Sequence, residues 1–194
     1  MGISLFDSFL TTPAMIAVFD DAAVVQAMLR FEAALARAQA AEGMIPVAAA
    51  QTVAAACEVE RYDIEALVQS ARHAGSLAIP LIKELTREVS AANPEHAIHV
   101  HWGSTSQDVI DTSMVLVTRD ALALLEPGLE RLIARLLVLA EQHLATPVLA
   151  RTLMQPAQVS SLGFKFAGWA APLVRARKQL HAIAQRALQL QLGG

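Results

Sequence analysis

The sequence predicts an all-α fold, and three observations carry that expectation. Apolar residues recur at steps of three and four through most of the chain, candidate caps, prolines and glycines punctuate those stretches, and no segment keeps the period of two of a half-buried strand. Alanine supplies much of the apolar content, an ordered, globular composition.

The elements follow in chain order. Asp20 and Asp21 precede Val24, Met28, Phe31 and Leu35, at steps of four, three and four, and Gly43 follows: a capped amphipathic helix with its C-terminal glycine. Pro46 can open a second helix and Asp63 a third. Pro80 stands where a first-turn proline is tolerated and leads Leu81, Ile82, Leu85 and Val89 before Asn93-Pro94 stops the pattern. From Ile110 the stripe Met114, Val117, Ala121, Leu124 resumes after Pro127-Gly128 as Leu129, Leu132, Leu136, Leu139, which reads as two long helical pieces joined by a kink. A last stripe, Phe166, Trp169, Leu173, Ala176, Leu180, Ile183, Ala187, Leu190, alternates steps of three and four over seven intervals. That is a bundle seam, with Pro172 expected to bend it. Two or three such helices normally need a fourth, from further chain or another subunit, to close a core. The alternative is a self-contained antiparallel bundle.

Composition excludes several classes. With 194 residues, 55% apolar and 17% charged, the chain can bury a core, so neither disorder nor a disulfide-stapled miniprotein is expected. Cys57 is the single cysteine and cannot form an internal disulfide, which fits a bacterial or cytosolic-type compartment. Arg135 breaks the run from Leu132 to Ala140, and Pro46 and Gln51 break the weakly apolar run around Ala48 to Ala56, so no membrane span is expected. The opening Met1 to Met15 carries Asp7 and no Lys or Arg, unlike a signal peptide, and Phe6 spoils the acylation pattern after Gly2.

The net charge of −3 divides into −9 over residues 1–141 and +6 over residues 142–194. Six cations spread at helical spacing over fifty-odd residues make a poor nucleic-acid track; a small anionic ligand or an acidic neighbouring helix fits better.

Chemistry is densest in His99-Val-His101-Trp-Gly-Ser104-Thr105-Ser106-Gln107-Asp108, just before a long helix. Helix N-termini present unpaired N–H groups and partial positive charge, so three hydroxyl residues there can grip a carboxylate without metal. The structural alternative is a capping box, since Asp108 follows Thr105 by three. His96, His99 and His101 match no usual zinc spacing; one of them as acid, base or carboxylate-holding cation is the better reading. His73 lies at a helix end, where a structural cation is the alternative. A second polar island, Arg151-Thr152-Leu-Met-Gln155-Pro-Ala-Gln158 to Gly163, is expected as a long loop between helices. Arg151 can pair with a carboxylate and Thr152 and Gln155 can orient one, or all three can tie down the loop.

These motifs carry a resemblance. Gly103-Ser-Thr-Ser-Gln-Asp108 with Asp111-Thr112, Arg151-Thr-Leu-Met-Gln155-Pro-Ala-Gln158, and Gly163-Phe-Lys165 resemble the first two conserved regions of the fumarase, aspartase and adenylosuccinate lyase superfamily, and His73-Ala-Gly75 through Pro80-Leu-Ile-Lys83 extends the likeness over nearly the whole chain. The resemblance is strongest to its cycloisomerase branch. It implies an N-terminal helical domain over 1–112 and the start of an incomplete central bundle over 113–194, in a cytoplasmic homotetramer whose sites combine segments of three subunits. It also implies a small tricarboxylate substrate, no metal or organic cofactor, and no nucleic-acid or membrane partner. Carried over by position, Ser104, Thr105, Ser106 and Gln107 hold a substrate carboxylate, His101 lies beside it, and Arg151, Thr152 and Gln155 contact substrate; His101 and His73 are the candidate catalytic groups.

The implied reaction adds a substrate carboxylate to its own conjugated double bond, closing a lactone in aromatic-compound breakdown. Departures from the pattern matter: Leu153 stands where adenylosuccinate lyases carry a catalytic histidine, only Arg72-His73 remains of their Thr-Arg-His-Asp stretch, Val159 replaces a usual proline, and Ser160-Ser161-Leu162 a usual Thr-Thr-Phe. The superfamily's Gly-Ser-Ser loop is not in these residues, so the chain is expected to be an N-terminal part, inactive alone. The rival readings are a fumarate-releasing lyase of the same superfamily and a non-catalytic helical association fragment.

Overall fold

The computed structural model describes residues 7–194; residues 1–6, on which part of the leader and acylation readings rest, lie outside them. The described chain is helical apart from one two-stranded hairpin, as expected of the fold class. It falls into two units, the residues up to Ala121 with Leu188–Gly194, and Leu122–Ala187.

In the first unit, α1 (Asp7–Leu10) and α2 (Pro13–Val18) lead to α3 (Asp21–Ala41), α4 (Val47–Ala56), α5 (Ile64–Ala74), α6 (Ala78–Ala92) and the first half of α7 (Ser106–Gln142). The caps stand where the sequence puts them. Asp20 accepts the Ala23 N–H and Asp63 the Ala66 N–H, at 2.7 and 3.0 Å, and Gly43 and Gly75 take the left-handed conformation after α3 and α5. Met28, Leu29 and Phe31 of α3, Val53 of α4, Leu81, Leu85 and Val89 of α6 and Val109 of α7 form the core. Gln26 closes the turn after α4: its amide donates to the Cys57 carbonyl and its oxygen accepts the Val59 N–H. Burial pushes the Cys57 thiol up to about 12, so it is an inert core group.

Two expectations change in the second unit. α7 runs unbroken through Pro127, although proline lacks an N–H and removes the bond to the Ala123 carbonyl; flanking turns with good helix formers carry it across. The expected loop after α7 is instead an antiparallel hairpin of β1 (Pro147–Thr152) and β2 (Gln155–Ser161), followed by α8 (Leu162–Ala187). Both hairpin faces are largely exposed, so no apolar alternation betrays the strands, and Pro156 inside β2 argues against one. α8 packs tightly on the end of α7: a Cβ at Gly163 would lie 2.3 Å from the Ala140 carbonyl oxygen, so only glycine fits there.

The last seam also ends earlier than its period. α8 stops at Ala187, and the following residues join the first unit, where the Thr112 hydroxyl bonds both the N–H and the carbonyl of Gln191. A side-chain partner thus replaces the helical one that the stripe through Leu190 anticipates.

Candidate active site

The first unit assembles His101 and the start of α7. Val100 leaves the short helical turn Pro94–His99 in extended backbone, and His101 (φ 55°) and Gly103 (φ 71°) then bend the chain through left-handed conformations. For the non-glycine His101 this costs about 1 kcal/mol or more, so something must hold it. Two side chains of α3 do. His101 Nδ1 lies 2.7 Å from Glu32 Oε1, and Gln39 Nε2 donates to the Trp102 carbonyl at 2.6 Å. An ionised carboxylate only accepts, so the ring donates through Nδ1 and Nε2 is left for other work.

The sequence-level capping box is present. The Thr105 N–H donates to Asp108 Oδ2 at 2.9 Å, and the Asp108 N–H to the Thr105 hydroxyl at 3.4 Å. Asp108, fully buried, also accepts from the Ser104 hydroxyl and, through Oδ1, from the Gly194 N–H. This divides the three hydroxyl residues. Ser104 is turned to Asp108, Thr105 caps while keeping its own proton to donate, and the partly exposed Ser106 has no side-chain hydrogen bond among the described residues. Gln107 is tied to Asp111 at 2.6 Å. The first-turn N–H groups of Ser106 and Gln107 have no carbonyl four residues earlier within the helix, so an acceptor from outside the helix can meet them.

Asp108 also makes a pH prediction. The N–H of Gly194, then that of Thr105, holds its carboxyl down at about 2 against burial. A depressed carboxyl contributes stability above its unfolded value and loses it as pH falls through the folded one. The stability difference between the native chain and Asp108→Asn in urea unfolding should therefore be constant at neutral pH and shrink between about 4 and about 2. A difference that persists unchanged below that window removes the charge from the explanation.

His73 sits elsewhere in the same unit. It is exposed in the last turn of α5, with Nδ1 3.3 Å from the Gln69 carbonyl, and lines a cavity of about 560 Å³ with Arg61, Ser70, Lys83 and Arg87. His101 and the Ser104–Gln107 segment are not among the residues lining that cavity.

In the second unit the hairpin gathers the other candidates. Thr152 faces Gln155 across the turn, so their side chains share one face of the pleat, while Arg151 faces Pro156 on the other. Leu153 (φ 47°) and Met154 (φ 62°) form the turn, both left-handed and both over nine-tenths exposed. Such turns favour Asn-Gly, so two branched or long residues here are a local strain that folding stability does not ask for.

A sequence model of a family described as Lyase matches residues 9–194. The chain belongs to the lyase family. A 3-carboxy-cis,cis-muconate cycloisomerase of Bradyrhizobium diazoefficiens is 46% identical over 98% of this chain and 42% of its own length. The crystal structure of 3-carboxy-cis,cis-muconate lactonizing enzyme from Pseudomonas putida is similar with TM-score 0.94 and 45% identity, over 98% of this chain and 43% of that one. A nitrosuccinate lyase of Streptomyces davaonensis is 42% identical over 94% of this chain and 38% of its own length. The chain thus spans about two-fifths of the length of the curated relatives it matches.

For a member of the lyase family, the residues that sequence reasoning missed are Glu32 and Gln39. A signal existed: Glu32 follows Met28 by four and Val25 by seven, so a carboxylate stands on the buried face of α3, with Gln39 two turns on. The acidic-neighbour reading of the cationic C-terminal part has a counterpart in α8, where Arg177 bonds Glu126 and Glu130 and His181 bonds Glu126. The Arg177 bond, helped by His181, holds the Glu126 carboxyl below its usual range. Among the described residues no three His, Cys, Asp or Glu side chains are grouped as a metal site, and no helix is long and apolar enough to cross a membrane.

Proposed function

We propose that this chain is the N-terminal part of a cycloisomerase that closes 3-carboxy-cis,cis-muconate to a carboxymuconolactone. The observation that carries the reading is the start of α7, where Thr105 and Ser106 keep hydroxyl protons and first-turn N–H groups beside a histidine clamped through one nitrogen. The identity to curated cycloisomerases over 98% of the chain supports it. In the reaction one substrate carboxylate adds to the conjugated double bond, and a proton reaches the carbon next to another carboxylate. Negative charge builds on that second carboxylate as it takes enediolate character. Donors already aimed at it bind the transition state more strongly than the ground state, which is the work assigned to Thr105, Ser106 and the helix start. Ser104 and Gln107 shape that turn, and His101 Nε2 is assigned to the substrate.

The reading extends to the assembly. α7 and α8 leave Leu132, Leu137, Trp169 and Ile183 about half exposed or more, a face that further subunits would cover in a cytoplasmic homotetramer. The projecting hairpin tip then brings Arg151, Thr152 and Gln155 to a site completed by another subunit. His73, beside Arg61 and Lys83, is assigned a catalytic or substrate-holding part there. The domain division 1–112 and 113–194 belongs to the same proposal.

A fumarate-releasing lyase has one specific support, the nitrosuccinate lyase at 42% identity, and Leu153 in place of a catalytic histidine opposes it. The test is a substrate comparison with the chain joined to the C-terminal part of the Bradyrhizobium relative. Loss of the muconate chromophore with no elimination from succinyl compounds supports the cycloisomerase; the reverse pattern replaces it with the lyase.

A further inference from the structure

Three departures from what stability alone favours meet at one place in the first unit. Glu32 is a carboxylate with no side-chain exposure in the middle of the apolar face of α3. Its Oε2, and Oε1 of the equally inward Gln39, have no hydrogen-bond partner among the described residues. His101 holds a left-handed backbone without being glycine. A core serving only stability would carry apolar residues at 32 and 39, since a buried polar atom left unpaired is costly. Such concentrated exceptions are expected where a side chain must be held in one state.

We propose that Glu32 is a positioning residue for His101: it fixes the ring as the Nδ1–H form through the 2.7 Å contact, while Gln39, two turns along the same face, anchors the next carbonyl at 2.6 Å, so that Nε2 is presented to a substrate carboxylate or proton with its lone pair. This rests on the reading of His101 given above. The two α3 contacts do different parts of the task. The Gln39 bond sets where the 101–102 backbone lies, and the Glu32 bond sets which nitrogen of the ring carries the proton. Glu32 has no side-chain exposure, so its effect passes through His101.

The test reads the ring directly, by long-range imidazole 15N–1H correlation spectra of this chain at a pH where the ring is neutral. The His101 signal is assigned by its loss in His101→Gln. The native chain should favour the Nδ1–H form at least about tenfold, the ratio that one charge-assisted hydrogen bond sustains. Glu32→Gln keeps an acceptor oxygen at nearly the same place and should preserve that preference. Glu32→Met keeps the volume, removes the acceptor and should shift His101 towards the Nε2–H form. A native chain with Nε2–H, or a Met variant with unchanged tautomer, overturns the proposal, and if Glu32→Met does not fold the native spectrum and Glu32→Gln still decide it. These outcomes are independent of turnover. Full activity of His101→Gln in the completed protein, with the tautomer as expected, would instead overturn the reading of His101 on which the inference stands.

Discussion

Residues 1–194 alone are expected to leave the absorbance of 3-carboxy-cis,cis-muconate unchanged, even though every segment assigned here to carboxylate binding lies within them. Donation or removal of a proton by a positioned side chain is worth about 10²–10⁴-fold, and holding the reacting groups in register adds to that. The chain spans about two-fifths of its curated relatives. The superfamily's Gly-Ser-Ser loop is not among its residues. The hairpin tip, exposed as it is, needs another surface to act on. The measurement is chromophore loss with the purified chain, repeated after adding the C-terminal part of a relative. Restoration on mixing places the proton-transferring group in the added part and leaves the start of α7 with the binding role. Turnover by the chain alone near the rate of a complete enzyme would place acid and base here, with His101 and His73 the first groups to replace.

In the reconstituted protein, Ser106→Ala should lower kcat/KM roughly ten- to a hundredfold while leaving thermal stability unchanged. A hydroxyl bonded to a charged group contributes about 1.5–3 kcal/mol, and Ser106 has no structural bond to lose. Thr105→Ala should show a comparable kinetic loss together with destabilisation of about 1 kcal/mol, because its oxygen also caps α7. Thr105→Ser, which keeps the oxygen, should recover the stability. The contrast separates the two meanings of this motif: if both alanine variants keep full turnover and only Thr105→Ala is less stable, the capping box is the whole of its role.

The same motif shows how far a site can be read from sequence. Thr105 and Asp108, three apart before an apolar stripe, announce a cap, and the geometry contains it. That Ser104 is spent on Asp108 whereas Ser106 is open depends on side-chain direction, which residue spacing does not specify. The hairpin was illegible for another reason. Its strands bury neither face and its turn uses Leu153 and Met154, so both local signals of a hairpin are missing.

By itself the sequence determined the caps and stops of the helices in the first unit, because spacing and capping act within a few residues: Asp20, Gly43, Asp63 and Asn93 all stand at the ends they announce. It also determined the family, through motifs whose order along the chain is enough. Only the tertiary structure decided the partner of His101. Glu32 lies 69 residues away, and the contact exists because the inward face of α3 is packed under the turn before α7. Only it decided, too, that Gly194 returns to Asp108 across 86 residues and that α8 ends at Ala187. Long-range pairing depends on where whole elements come to rest, and a local pattern holds no record of that.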